Sequence, residues 1–325
     1  MRAPLFWESK RSLLSLALSP LGLVTAYATS RRVCREGLRL NIPVICVGNI
    51  NAGGTGKTPT VMAVVQLLQA LGHAPHIVSR GHGGRLIGPV RVDARVHDAS
   101  AVGDEPLLLS SFAPVWVSKD RAAGGVAACA AGADVIVLDD GHQNPALVKD
   151  LSIVVVDAGR GFGNGLCLPA GPLREPVSAG LSRADLVVSI GEAAAQERFA
   201  SRWGAYLPCP HFTGHLAPLP TGMDWRGLRC LAFAGIGYPE KFFDTLRGLG
   251  ASVVRTESLG DHQPFTAALL SRLLHDAQAD GLQLVTTEKD AARLPSSLRG
   301  EVLTLPVRLE ILQAEALDAR LHSLF

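Results

Sequence analysis

A chain of 325 residues, 47% hydrophobic and 18% charged, can bury a substantial core, which excludes a disordered protein and points to one large α/β domain or two domains. A formal net charge of only +2 gives no whole-molecule field suited to nucleic acid or another strongly anionic partner. The six cysteines (Cys34, Cys46, Cys129, Cys167, Cys209, Cys230) are scattered without a CxxC pair or Cys/His clustering, so they read as buried thiols in a reducing compartment, not a zinc or disulfide scaffold.

The first 40 residues depart from the average. They carry Arg2, Lys10, Arg11, Arg31, Arg32, Arg35 and Arg39 against Glu8 and Glu36, leaving the remainder net acidic. Between the two basic clusters, Leu13 to Thr29 is apolar but short of the roughly 20 residues a spanning helix needs, and it is broken by Pro20 and Gly22. A clean transmembrane span is therefore not expected. A cleaved signal peptide fits poorly as well, since residues 30–42 lead straight into an apolar strand and the Gly-rich run Gly48 to Thr58, whose phosphate-loop pattern works only in a compartment that holds nucleotide. Two readings of the segment stay open from the residues alone: an interfacial helix whose flanking cations attract anionic headgroups, or an ordinary core helix.

From residue 43 onward, apolar β-rich runs alternate with Ala/Leu-rich stretches, the pattern of a doubly wound sheet. Pro43 to Val47 reads as the first buried strand, Thr58 to Leu71 as the following helix and His76 to Ser79 as the next strand. Val115–Val117, Val135–Leu138, Ile153–Val156 and Leu186–Ser189 continue the series, with Arg121 to Ala131 as an intervening helix. After about residue 190 the prolines at 208, 210, 218 and 220 suggest loops. Further strand candidates at Cys230–Phe233, Ser252–Val254, Leu284–Thr287 and Val302–Leu305, with a helix near Phe265 to Ala279, then make a smaller α/β unit. The expected boundaries are 1–40, 41–205 and 206–325.

The strongest chemical signal is Gly48-Asn-Ile-Asn-Ala-Gly-Gly-Thr-Gly-Lys-Thr58, set between an apolar strand and a helix. Asn51, Ala52, Gly53, Gly54, Thr55 and Gly56 form a loop whose amides can turn toward phosphates. Lys57 adds a cation, and Thr58 offers a hydroxyl to Mg²⁺. The strict pattern GxxxxGK(S/T) fails at its first position, where Asn51 replaces glycine. A second signal is Asp139-Asp140-Gly-His-Gln143 at the end of an apolar strand, where carboxylates beside such a loop hold Mg²⁺ and its waters. Ser79-Arg-Gly-His-Gly-Gly84, Gly103-Asp-Glu-Pro106, Gly171-Pro-Leu-Arg-Glu175 and Gly260-Asp-His-Gln-Pro264 each read singly as Gly/Pro turns. Together they offer a base and phosphate-holding cations to a phosphotransferase.

In order along the chain, GNINAGGTGKTP, SRGHGG, GDEP, DDGHQ, GPLRE, GDHQPF and VTTEKDAARL resemble the tetraacyldisaccharide 4'-kinase family of lipid A biosynthesis. The resemblance implies a P-loop NTPase-like doubly wound α/β sheet with a second, smaller α/β domain and an N-terminal membrane-interfacial helix. It implies ATP and Mg²⁺ as cofactors, and phosphorylation of the 4'-hydroxyl of a lipid-linked disaccharide, tetraacyldisaccharide 1-phosphate, at the cytoplasmic face of the bacterial inner membrane. No nucleic acid and no obligate protein partner are expected. By the same resemblance Asp104 and His262 correspond to a catalytic dyad, while Arg174 matches a position lining the nucleotide and Glu175 one lining the metal. His142 stands where the family usually has an aromatic, and Gln263 where it often has a second histidine; neither receives a role. The rival class is a membrane-associated switch ATPase or GTPase. Such proteins usually carry an extra lysine early in the loop, where this chain has Asn51 and Ala52.

Overall fold

The computed structural model describes residues 4–9, 12–260 and 263–325. Among the described residues the strands, in chain order, are β1 (Val44–Gly48), β2 (Pro75–Ser79), β3 (Val90–Arg91), β4 (Val115–Val117), β5 (Val135–Asp139), β6 (Leu151–Asp157), β7 (Leu186–Ile190), β8 (His211–Pro218), β9 (Arg229–Ala234), β10 (Ser252–Ser258), β11 (Gln283–Thr287), β12 (Val302–Leu305) and β13 (Val307–Ile311). The helices are α1 (Leu13–Val33), α2 (Lys57–Ala70), α3 (Ala99–Val102), α4 (Asp104–Leu109), α5 (Arg121–Ala130), α6 (Val177–Leu181), α7 (Ala193–Trp203), α8 (Pro239–Gly248), α9 (Ala267–Asp280), α10 (Glu288–Ala291) and α11 (Ala314–His322).

Nine strands form one sheet in the order β13-β8-β7-β6-β1-β5-β2-β4-β3, and four form a second in the order β10-β9-β11-β12. In the large sheet only the outer strands β13 and β3 run antiparallel to their neighbours. The inner strands are unbroken Val/Ile/Leu runs because helices cover both faces. Val61, Val65 and Leu68 of α2 and Leu317 and Leu321 of α11 seal one side, and Ala128 of α5 and Phe199 of α7 the other. Strand β1 is buried throughout and lies between β5 and β6, so whatever follows its carboxyl end is delivered to the middle of the sheet edge.

The second sheet, all parallel, is built only from β9 to β12. Strand β8 pairs with β7, and β13 pairs with β8, so the chain enters the small unit after Pro218 and returns to the large sheet at Val307. This differs from a division at residue 206. The prolines that suggested loops flank β8 or fall at its last pair, Pro218 with Val307, a position near the sheet's edge where a missing N–H is tolerated.

Helix α1 runs unbroken through Pro20. It is the one helix among the described residues long and apolar enough, by length and composition, to cross a membrane. This corrects the expectation that Pro20 and Gly22 interrupt it. Its buried residues, Ser15, Gly22 and Thr29, recur every seven positions and form a narrow seam against the body of the protein. Asn164 donates to the Ser15 hydroxyl at 3.1 Å and Thr29 donates to the Arg174 carbonyl at 3.0 Å. A Cβ at position 22 would lie 2.9 Å from the Cys167 carbonyl oxygen, so Gly22 is what allows the approach. The outward side is apolar: Leu16 is 70% and Leu23 72% exposed.

Candidate active site

After β1 the chain turns over the carboxyl edge of the sheet and enters α2 at Lys57. Buried Asn49 braces the turn by donating to the Thr55 hydroxyl at 3.0 Å. Asn51, where the strict pattern wants glycine, is also buried. Its amide donates to the Gly161 carbonyl at 3.0 Å, and the Ala52 N–H donates to the Pro172 carbonyl at 2.7 Å. The departure at Asn51 is thus an anchor: the loop's entrance is tied to neighbouring turns, leaving Gly53 and Gly54 exposed at its crest. Gly56 has φ 95°, and a Cβ there would sit 2.5 Å from Ile190 Cδ1, so only glycine can deliver the chain into α2 at this angle. The first turn of α2, with Lys57 and half-buried Thr58, then presents its helix N-terminus to the same space.

Strand β5 lies beside β1, with Asp139 paired to Val47, which puts the Asp139-Asp140 corner next to this loop. The two carboxylates have opposite surroundings. Asp139 is 2% exposed; one oxygen accepts from the Ser79 hydroxyl at 2.9 Å, while Oδ1 is buried with no donor among the described residues. Burial, then the charges of Glu105 and Asp140, push the Asp139 carboxyl up to about 7. For Asp140 burial acts upward too, but Lys57 and Arg174 outweigh it and hold the group below its ordinary value. Lys57 Nζ stands 3.7 Å from Asp140 Oδ1, and Arg174 Nη1 donates to both Asp140 oxygens at 2.9 and 3.0 Å. Asp140 is the one non-glycine residue with positive φ (53°) among those described. Arg121, itself buried, holds that corner by donating to the Asp139 and Asp140 carbonyls at 3.0 and 2.8 Å.

An acceptor oxygen with no donor, on a carboxyl kept partly protonated, suits a divalent cation that would displace the proton. Asp139 with Asp140 and Thr58 therefore fits Mg²⁺, which commonly takes one or two protein carboxylates and completes its shell with phosphates and water. Among the described residues no group of three or more His, Cys, Asp or Glu side chains forms a metal cage. Glu175, expected near the metal, is buried with both oxygens occupied: Arg183 donates to them at 2.9 and 2.7 Å, and Gln143 to Oε1 at 2.9 Å. Gln143 also donates to the Asn49 carbonyl at 2.7 Å, so Glu175 braces the loop through Gln143. Behind them His142 donates Nε2–H to the Gly180 carbonyl at 2.8 Å, and burial lowers its pKa to about 4, keeping it neutral.

The perturbed Asp139 carries a stability consequence. Its folded pKa lies above the ordinary 3.8, so the native state holds an extra proton from about pH 4 to 7. The stability this gives is present at low pH and is lost as pH rises through that window. Asp139→Asn in EDTA should then raise the thermal midpoint at pH 8 by about 2–4 °C, with little change at pH 4. A variant that melts below wild type at pH 8 would contradict the assignment.

Asp104 opens α4 and is buried; its Oδ1 accepts from the Glu105 N–H at 3.0 Å. Across the gap to the small unit, Lys289 Nζ lies 3.9 Å and Arg293 Nε 3.8 Å from Asp104 Oδ2. His262 lies outside the described residues. Its neighbour Gln263 is described, and the Gln263 carbonyl accepts from Arg293 Nη1 at 2.7 Å. Lys57, Thr58, Asp139, Asp140 and Arg174 thus converge on one edge of the large sheet, while Asp104 faces it from the α4 side with the small unit bound against it. Sequence reasoning missed Ser79, Arg121, Gln143 and Arg293. Of these only Arg121 lies outside the quoted motifs, its one cue being an arginine at the start of an Ala-rich helix.

A phosphate loop on the central strand, with a carboxylate pair ending the adjacent strand and a second α/β unit closing over them, defines a P-loop enzyme acting on nucleotide phosphates. The family model for tetraacyldisaccharide-1-P 4'-kinase matches residues 14–325, and the chain belongs to that family. The tetraacyldisaccharide 4'-kinase of Dinoroseobacter shibae is 62% identical over 330 residues, covering 100% of this chain and 98% of the relative. That of Jannaschia sp. is 59% identical, covering 96% and 95%. The crystal structure of LpxK from Aquifex aeolicus in complex with ATP superposes with a TM-score of 0.77 at 26% identity, covering 96% of this chain and 100% of that one. The α/β fold with its large, mostly parallel sheet and N-terminal apolar helix is the fold of that family, and membership favours a kinase over the switch ATPase.

Proposed function

We propose that this protein transfers the γ-phosphoryl group of ATP to the 4'-hydroxyl of tetraacyldisaccharide 1-phosphate, giving lipid IVA in lipopolysaccharide biosynthesis. The observation that carries the reading is the unequal carboxylate pair Asp139/Asp140 facing Lys57 at the phosphate loop, in a chain of the 4'-kinase family. The loop amides and Lys57 hold the β- and γ-phosphates, and Arg174 adds positive charge beside them. Thr58, Asp139 and Asp140 would hold Mg²⁺, which when bound would neutralise phosphate charge. Asp104 and His262 serve as the pair that orients the sugar hydroxyl and accepts its proton. Incubating the protein with γ-labelled ATP, Mg²⁺ and tetraacyldisaccharide 1-phosphate should yield a labelled bisphosphorylated lipid. Label released as inorganic phosphate at the same rate without acceptor would defeat the reading and favour a switch ATPase.

The substrate does not leave the bilayer, and α1 meets it. Its polar seam docks on the protein, its apolar side faces outward, and Arg31 and Arg32 stand in its last turn. This arrangement suits an interfacial position on the cytoplasmic face of the inner membrane, with basic residues at the headgroups. Leu16→Asp combined with Leu23→Asp spares the docking seam, so it should leave the melting midpoint near wild type while abolishing flotation with anionic vesicles. Undiminished flotation would place the membrane contact elsewhere.

A further inference from the structure

The segment from Val285 to Leu294, the VTTEKDAARL motif, has no role in the reaction as described so far. It comprises the end of β11, α10 and the residues just after, all in the small unit, yet three of its charged side chains, Glu288, Lys289 and Arg293, reach residues of the large one. Lys289 reaches Glu105 at 3.3 Å, and Glu288 receives Arg308 Nη1 at 2.8 Å. Arg293 makes the most connections. Its side chain is only 8% exposed. Nη2 donates to Asp290, which is 0% exposed and also accepts from the Gly235 N–H at 2.9 Å and the Thr287 hydroxyl at 2.7 Å. Nη1 donates to the Gln263 carbonyl at 2.7 Å, and the guanidinium stacks over the Phe265 ring at 4.7 Å. Nε, buried without a hydrogen-bond partner among the described residues, faces Asp104 Oδ2 at 3.8 Å.

We propose that Arg293 is a positioning residue of the phosphoryl-transfer site: held by Asp290 and tied to the Gln263 carbonyl and the Phe265 ring, it faces the Asp104 carboxylate and keeps that member of the proposed dyad in one geometry. The inference rests on the reading of Asp104 and His262 as that dyad. The planar fork is what the arrangement uses, because one group must serve a carboxylate behind it, a carbonyl beside it and a second carboxylate ahead of it. A lysine ammonium would keep the charge and lose the simultaneous contacts. The contact with Asp104 needs to shorten by about 0.9 Å to become a full hydrogen bond, the kind of tightening expected when a catalytic complex assembles.

The test compares Arg293→Lys, Gly235→Ala and Asp104→Asn with wild type in the full-length protein, measuring kcat, KM for ATP and the melting midpoint. A Cβ at position 235 would lie 2.7 Å from Arg293 Nη2, so Gly235→Ala displaces the guanidinium without changing any charge. Arg293→Lys should lower kcat about 10–100-fold with KM for ATP within about twofold, as expected when a catalytic group is misplaced by a fraction of its contact distance. Gly235→Ala should shift kcat in the same direction by less. Adding Arg293→Lys to Asp104→Asn should cost little beyond Asp104→Asn alone, because the two act as a unit. If Arg293→Lys does not fold, Gly235→Ala and its combination with Asp104→Asn decide. An impaired Asp104→Asn beside undiminished kcat in Arg293→Lys and Gly235→Ala, or losses that multiply, overturns the positioning role and leaves the dyad standing. Wild-type turnover in Asp104→Asn removes the dyad reading itself, and this inference with it.

Discussion

Replacing Lys57 with alanine is expected to lower kcat by about 10²–10³-fold, the loss that follows removal of one preorganised charge partner of a transition state. The fold should survive, because Lys57 is not holding the structure together. Asp140 keeps its two-oxygen contact with Arg174, and the loop keeps its anchors through Asn49 and Asn51. What the substitution does change is the field on the carboxylate pair. Lys57 acts to lower both Asp139 and Asp140, so its removal raises the proton affinity of both and weakens the place where Mg²⁺ would sit. Loss of transfer should therefore come with a higher Mg²⁺ requirement. A folded Lys57→Ala variant that turns over near the wild-type rate would remove the phosphate-loop assignment.

Much of this arrangement was legible in the sequence because the interior strands of the large sheet are buried on both faces. Val135 to Leu138 and Leu186 to Ser189 read as strands without alternation, and each is extended by only one residue in the structure. The P-loop and the Asp-Asp corner were legible for a related reason: their chemistry is written in consecutive residues. Where the same residue type serves two physical ends, the reading failed. Pro20 and Gly22 read as breaks, yet Gly22 lies where α1 approaches the protein closely, and the repeat of Ser15, Gly22 and Thr29 that shows this is a heptad of small residues in an apolar run. Strand β8 was hidden by flanking prolines that its near-edge position permits. Arg293, Gln143 and Ser79 lie in motifs that were noticed, but their roles exist only once distant segments meet. Gln143 joins Asn49 to Glu175, and Arg293 joins Gln263 to the neighbourhood of Asp104.

Substituting Asp104 or His262 by alanine should each lower kcat by about 10²–10⁴-fold, the range for loss of general-base catalysis, with a much smaller change in KM for ATP. The structure supplies half of the geometric argument. Asp104 is buried at the start of α4, and Arg293, which donates to the Gln263 carbonyl, faces its carboxylate at 3.8 Å. A carboxylate beside an imidazole fixes which nitrogen carries the proton and keeps the other available to a hydroxyl near neutral pH. If the pair acts as a unit, removing the second member after the first costs little, and the double variant should be no worse than the worse single one by more than a few fold. ATP binding, measured separately, should persist in all three, since the phosphates are held by the loop after β1. Losses that multiply would instead assign separate tasks, with Asp104 acting on the nucleotide side and His262 on the lipid.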